Sequence, residues 1–429
     1  MSARYAQSEA MLARALQTIP LGAQTFSKSR TQFPHGVSPY FAARAQGAYV
    51  WDVDGHDYVD FINALCAVSL GHNDPDVLAA VTAQLRDGVI FSLSHALEHQ
   101  VAEQLCAMVP CAQAVRFGKN GSDATSGAIR LARAFTGRDH VAVCGYHGWQ
   151  DWYIGATARH RGVPQAVRAL THVFGYNDLA SLDAVFKAHP GEIAAVILEP
   201  MNVTSPAPGF LDGVTERCRR HGALFVLDET ITGFRFDNGG AQARFGITPD
   251  LACFGKGLAN GFPVSAIAGR ADVMKLMEEI FFSFTFGGET LSLAAALATM
   301  QKLQREPVTA TLRRQGEKLI DRVNALIARY ELGGCLHLSG DPSWSFLNFR
   351  DAAPYDLWQI KTLYLQEIFA RGALSLGTHN LSYAHDDRAL DRLTQAYDGA
   401  FAVLADAVHN RRLETLLRCA PLQPLFKVR

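Results

Sequence analysis

Lys256 stands between Gly255 and Gly257 at the end of an apolar run, LACFGKG, and no other charged residue follows until Arg270. Lysine is seldom placed in an interior. A lysine at a buried strand end, if it bears no permanent partner, loses its proton more easily and becomes a nucleophile that forms Schiff bases with carbonyls. Other apolar runs also end in groups that can do chemistry. ALFVL is followed by Asp228-Glu229, and AAVIL by Glu199-Pro200. Two carboxylates behind five apolar residues can bind a metal, act as acid and base, or pair with a cationic ring nitrogen. HVAVC runs into Gly145-Tyr146-His147-Gly148-Trp149, where an aromatic residue fenced by glycines can stack on a flat ligand or simply pack in a loop. AVRFGK runs into Asn120-Gly121-Ser122-Asp123 and then a helix. Free amides, glycine and a hydroxyl at a helix start suit a phosphate, although Ser or Asp there can be no more than a cap.

The elements that must position these groups follow from the pattern. AVRFGK, HVAVCG, AAVILEP, ALFVLDE and LACFGK read as strands, with helices such as SDATSGAIRLARAFTG and GFLDGVTERCRRHG between them. Continuous apolar strands alternating with helices predict a mostly parallel sheet covered on both faces. In such sheets ligands bind just beyond the carboxyl ends of the strands. A phosphate cradle, a stacking aromatic, a carboxylate for a pyridinium nitrogen and a Schiff-base lysine are together the requirements of pyridoxal 5′-phosphate (PLP). Each occurs here on a successive strand end.

The division expected along the chain is an N-terminal segment at 1–62, a large cofactor-binding domain at 63–315, the rest of a small α+β domain at 316–410, and a C-terminal extension at 411–429. The N-terminal segment holds an amphipathic helix and a hairpin, AYVWDVDGHDYVDF, turning at Asp54-Gly55. SWSFLNF and ALSLG are the strands expected late in the chain.

Of the 429 residues, 48% are hydrophobic and 19% charged, with 40 Lys+Arg against 41 Asp+Glu. This balance predicts a globular protein with no nucleic-acid or membrane partner. The N-terminus lacks the apolar core of a signal peptide. The eight cysteines show no CxxC pair and read as reduced core thiols of a cytoplasmic enzyme.

NGSDATSGAIRLARAFTGRD, GYHGW, ILEP, LDETITGFR, FGKGLANGFPVSAIAGR and FTFGGETLS resemble the class III aminotransferases, PLP enzymes of fold type I, and most closely their glutamate-1-semialdehyde aminomutase-like branch. The resemblance spans roughly residues 20–400. It implies the fold-type I architecture: a large domain with a mainly parallel, seven-stranded-type sheet and a small α+β domain. It implies an aminotransferase working on a small-molecule amine and a carbonyl acceptor through a Lys256 aldimine, with aminomutation as the alternative.

By the same resemblance Lys256 is the Schiff-base lysine and proton shuttle, and Asp228 pairs with the pyridinium nitrogen. Gly121 and Ser122 hold the phosphate, Tyr146 stacks on one ring face with His147 beside it as a further cofactor contact, and Thr230 packs on the other ring face. Glu199 supports the site by hydrogen bonds. Thr285 reaches the phosphate of a neighbouring subunit, which requires a homodimer with shared active sites. Arg30, in GAQTFSKSR, matches the N-terminal arginine that takes a substrate carboxylate in the aminomutase branch.

Several positions depart from the family pattern. Thr230 stands where valine is usual, and NGSDA replaces SGTEA. Thr204, in EPMNVTSP, occupies the place of a glutamate that elsewhere pairs with a late arginine to switch substrates, and GALSLGTHNLSYAH has no arginine. Two rival readings come from other classes. His95-Ala96-Leu97-Glu98-His99 matches H-x-x-E-H, the helix motif of some zinc hydrolases. A PLP-fold binding module needs no proton shuttle, which the intact Lys256 and Asp228 argue against.

Overall fold

The computed structural model describes residues 3–423 and divides into two compact units. Of the described residues, one holds 3–65, Leu70–Asp74 and 311–423; the other holds Cys66–Ser69 and Pro75–Ala310. Strands β1 (Ala42–Gln46), β2 (Tyr49–Asp52) and β3 (Asp57–Asp60) lie in the first unit. The second contains β4 (Ala114–Gly118), β5 (His140–Cys144), β6 (Thr171–Val173), β7 (Ile193–Leu198), β8 (Leu224–Asp228), β9 (Leu251–Phe254) and β10 (Ser265–Gly269). The first unit resumes with β11 (Leu336–Asp341), β12 (Trp344–Phe349), β13 (Ala373–Leu374) and β14 (Thr378–Asn380).

The second unit is built on a seven-stranded sheet in the order β4-β10-β9-β8-β7-β5-β6. β6, β5, β7, β8 and β9 run parallel. β10 runs antiparallel to both β9 and β4. Every residue of β7, β8 and β9 is buried, as expected for strands covered on both faces. On one face the helix Gly121–Thr136 packs Ala124, Ala128, Ile129 and Leu131 against Val143, Ile197 and Val226. On the other, Leu211, Val214 and Cys218 of the helix Phe210–His221 pack against Val196, Phe225 and Leu227. The burial of Leu227 alone is worth about 2 kcal/mol. The five strands read from apolar runs are all present. β6 and β10 are additional: β6 has only three residues, and β10, SAIAG, carries small side chains with little strand signature.

In the first unit β2 and β3 form the hairpin at Asp54-Gly55, with Gly55 at φ +89°. β13 joins β3 in parallel, so residues from both parts of the chain share one sheet. Asn63 Nδ2 donates to the Asn380 carbonyl at 2.7 Å, and Asn380 Nδ2 donates to the Ile62 carbonyl at 2.6 Å. β11, β12 and β14 form a separate antiparallel sheet. Beyond Asn410 the chain packs on the helix Leu357–Ala370: the Leu422 amide donates to Thr362 Oγ1 at 2.9 Å and Leu413 is fully buried.

Among the described residues no helix is long and apolar enough to cross a membrane. Six of the cysteines are buried. Burial pushes the thiols of Cys111 and Cys144 up to about 12, so both are inert at neutral pH.

Candidate active site

The carboxyl ends of β8 and β9 and the start of the helix Gly121–Thr136 meet at close range. A Cβ on Gly121 would lie 2.8 Å from Thr230 Cγ2, and a Cβ on Gly255 would lie 3.3 Å from the same methyl. The Gly255 position is also 3.8 Å from the Gly121 backbone. Glycine at both places lets three loops touch. β9 stops at Phe254, and Lys256 opens a single 3-10 turn, Lys256–Ala259. Lys256 has φ +44°, a left-handed conformation that costs a side-chain-bearing residue about 1 kcal/mol or more. A Cβ on Gly257 would sit 2.5 Å from Ser69 Oγ. The two glycines therefore admit the close neighbours that fix where Lys256 leaves the sheet.

Asp228 ends β8 and is buried. Its Oδ2 is 2.8 Å from His147 Nδ1, and its Oδ1 accepts from the Thr230 amide at 3.1 Å. Burial alone would raise its pKa. The His147 hydrogen bond and charge, with help from Thr230, outweigh burial and hold the carboxyl below its usual range. It is therefore ionised at neutral pH. His147 Nε2 lies 3.1 Å from the Cys144 carbonyl, so each ring nitrogen faces an oxygen acceptor.

The neighbouring Glu229 has a different task. Its carboxylate accepts from Thr232 Oγ1 (2.7 Å), the Ala241 amide (2.7 Å) and the Gln242 amide (2.9 Å). It caps the short helix Gly240–Phe245, and burial raises its pKa. Of the three uses open to Asp228-Glu229, a joint metal site is therefore ruled out by the opposite directions of the two side chains, as expected for successive strand residues.

The loop after β5 is anchored from three sides. Glu199, at the end of β7, accepts from the Tyr146 amide at 2.9 Å and from Asn202 Nδ2 at 3.1 Å. Thr125 Oγ1 donates to the His147 carbonyl at 2.8 Å. The Trp149 amide donates to Ser122 Oγ at 3.3 Å. Gly145 and Gly148 have φ +104° and +106°, and a Cβ on Gly148 would overlap Ser122 Oγ. Tyr153 holds Tyr146 edge-on at 5.7 Å between ring centroids.

At the helix start, Asn120 and Asp123 form a capping box: Asn120 Oδ1 accepts from the Asp123 amide and Asp123 Oδ2 from the Asn120 amide. The cap takes the third amide of the helix and leaves those of Gly121 and Ser122 at its positive end. The cap reading is observed, and the same geometry leaves room for the anion reading.

These residues fit PLP. The fit rests on the Gly121 and Ser122 amides for a phosphate, on an ionised buried carboxylate for a ring nitrogen, and on Thr230 Oγ1. That hydroxyl is buried and makes no hydrogen bond of normal geometry among the described residues. A recess of ≈ 690 Å³ lies on the β5–β6 side, lined by Gly145, Tyr153, Phe174, Tyr176, Glu199 and Thr204 among others. It shares the Gly145 and Glu199 wall with this cluster.

Not every residue singled out from the sequence joins the cluster. Thr285 is exposed in a turn. Arg30 is exposed in a turn of the other unit. The H-x-x-E-H motif is a helix cap and not a metal site. His95 is the N-cap, its Nδ1 accepting from the Leu97 amide, and Glu98 Oε1 turns back to the His95 amide at 2.9 Å. His99 is 66% exposed and pairs with Glu103. Sequence reasoning did not single out Thr125 or Ser69; Thr125, one helical turn beyond Gly121, carried a spacing signal that could have marked it, and Ser69 carried none.

Residues 32–335 match the family described as aminotransferase class-III. A 3-aminobutyryl-CoA aminotransferase of Cloacimonas acidaminovorans is 30% identical over 403 residues, covering 92% of this chain and 96% of its own. The PLP-bound FumI protein of Sphingopyxis sp. MTA144 superposes with a TM-score of 0.88 at 30% identity, covering 96% of this chain and 100% of FumI. A glutamate-1-semialdehyde aminomutase of Pseudomonas aeruginosa PAO1 follows at a TM-score of 0.81 and 25% identity, covering 94% and 95% of the two chains.

The division of labour between the adjacent carboxylates is testable. Glu229→Gln presents an amide donor to backbone N–H groups and should lower unfolding stability by about 1–3 kcal/mol in urea titrations. The variant should retain cofactor and most of its turnover once folded. A variant of undiminished stability but lost turnover would place Glu229 in the chemistry instead.

Proposed function

The chain belongs to the class III aminotransferases and is a PLP-dependent enzyme, and from that premise we propose which of its residues carry the reaction and which amines it takes. When bound, PLP supplies the electron sink that lets a carbon bearing nitrogen give up its proton. Lys256 Nζ is the anchoring amine and the base that moves that proton. Asp228 holds a proton at the ring nitrogen, and His147 keeps Asp228 charged. Tyr146 and Thr230 would hold the two faces of the ring. The amides of Gly121 and Ser122 hold the phosphate at the helix terminus. Glu199 and Thr125 position the loop that carries Tyr146 and His147. The observation that supports this reading most is the buried Asp228–His147 contact at 2.8 Å, which keeps a carboxylate ionised at a strand end beside the one that leads to Lys256.

The proposed substrate is an amine on a carbon other than the one bearing a free carboxylate. Two features support it. Thr204 stands at the place of the switch glutamate, and GALSLGTHNLSYAH has no arginine for such a glutamate to pair with, which speaks against the usual glutamate-type donor. The relative from Cloacimonas is named for an amine on the third carbon of a thioester. Arg30 is the candidate for a carboxylate elsewhere in a substrate, on its resemblance alone. The second reading is intramolecular amino transfer of the glutamate-1-semialdehyde type, supported by the resemblance to that branch and by the Pseudomonas aminomutase.

The proposed working form is a homodimer. Thr285 lies between exposed aromatics: Phe281 is 79% and Phe286 57% exposed. Thr290 Oγ1 bonds the Gly88 and Val89 carbonyls, which brings this segment beside the exposed Ile90, Phe91 and Leu93. Exposed apolar side chains on both segments support burial against a second copy. A cytoplasmic setting is supported by cysteines that are mostly buried and lack paired spacing.

A panel of donors and acceptors, read by chromatography of the carbonyl product, tests the substrate. β-Amino acids and simple amines should react faster than α-amino acids. Preference for α-amino acids would overturn that assignment, and isomerisation of a vicinal amino aldehyde without any intermolecular product would favour the second reading. Lys256→Ala should abolish turnover and the covalent fixing of cofactor by borohydride; fixing on another lysine would move the role. In sedimentation, the wild type should be a dimer and the Phe281→Glu, Leu93→Glu double variant a monomer with lost activity. A monomeric, fully active wild type would remove the role given to Thr285.

A further inference from the structure

Three histidines that the reaction does not use converge at the other end of the same sheet. His140 opens β5, and the five-residue strand runs from it toward Tyr146, about 15 Å of extended chain. His172 sits in the middle of β6, the edge strand, opposite Ala142 in register. Residues 140 and 142 share a face, so His140 and His172 project to the same side of neighbouring parallel strands. His189 ends the helix Leu179–Ala188 and is followed by Pro190 and Gly191, whose φ of +73° turns the chain back into β7. That turn brings Glu192 beside it. The Glu192 amide donates to the His189 carbonyl, and the His140 amide donates to the Glu192 carbonyl, both at 3.2 Å.

The side chains close on one another. One nitrogen from each of the three imidazoles lies within 4.8 Å of the others. His140 Nδ1 and His172 Nε2 are 2.8 Å apart. Glu192 Oε2 is 3.2 Å from His189 Nδ1 and 3.8 Å from His140 Nε2. The rings of His172 and His189 overlap at 3.9 Å between centroids. Tetrahedral coordination at ~2.1 Å separates ligand nitrogens by roughly 3.4 Å, so modest rotations of these rings suffice. All three rings are half-buried, which leaves a path from solvent. Burial and the two neighbouring rings hold His172 down at about 4, so its lone pair is available at neutral pH.

We propose that His140, His172 and His189 bind one divalent first-row transition ion, with water completing its shell and Glu192 orienting His189 from outside it. Three imidazoles and a water suit zinc. The ion would clamp the edge strand β6 and the His189 turn to the start of β5, away from the reacting groups. Its effect is on the stability of that edge and not on turnover.

The test uses holoenzyme made without a polyhistidine tag, stripped with a chelator and titrated with zinc chloride against a chromophoric competitor. One ion should bind per chain, and the thermal midpoint should rise with zinc concentration by mass action. His172→Ala and His189→Ala should each weaken binding by about 100-fold and remove the zinc-dependent rise, with turnover kept. Glu192→Gln, at an exposed position that folding tolerates, should weaken it less and in the same direction. No competition by the protein, or zinc binding that survives these substitutions, would overturn the site. In that case the three rings are a packing stack only.

Discussion

A carboxylate kept ionised inside the protein is the constraint on which the rest of the site depends. Burying a charge without partners costs several kcal/mol, and a carboxyl so placed normally takes up a proton. Asp228 avoids this because His147 and the Thr230 amide meet its two oxygens. His147 in turn must be held. Its second nitrogen faces the Cys144 carbonyl, its own carbonyl accepts from Thr125, and the preceding residue hangs from Glu199. The charge on one side chain is thus supported by β5, β7, β8 and the helix that begins at Gly121.

The second requirement is proximity. The loops after β8 and β9 and the helix start approach so closely that side chains at Gly121, Gly148 or Gly257 would collide with Thr230, Ser122 or Ser69. Glycine removes the obstruction, and the strain that remains is carried by Lys256 at φ +44°. Parallel strands make this arrangement possible, because their register places successive carboxyl ends side by side. Asp228 stands opposite Cys253, three residues before Lys256.

Much of this was legible in the sequence, for a physical reason. Strands buried on both faces are continuous apolar runs, and a charged residue at the end of such a run is conspicuous. Lys256, Asp228 and Glu199 were visible in that way. Glu229 carried the same signal but bonds to a helix start, a distinction that only the direction of its side chain reveals. The H-x-x-E-H pentapeptide has the spacing of a metal motif, yet its first histidine is spent on the helix cap, so the ring cannot share a face with His99. The histidines that do converge lie 32 and 17 residues apart in sequence, and only the β5–β6 register and the turn at Gly191 bring them together. β6 and β10 escaped because three residues, or one isoleucine among four small residues, leave too little periodic signal.

The central claim is that Asp228, held ionised by His147, keeps a proton on the ring nitrogen of the cofactor. Nitrogen-15 NMR of the holoenzyme loaded with ring-labelled PLP reads that proton directly. The ring nitrogen should be protonated in the wild-type enzyme at neutral pH and unprotonated in Asp228→Asn. An unprotonated nitrogen in the wild type, or the same signal in both proteins, would contradict it.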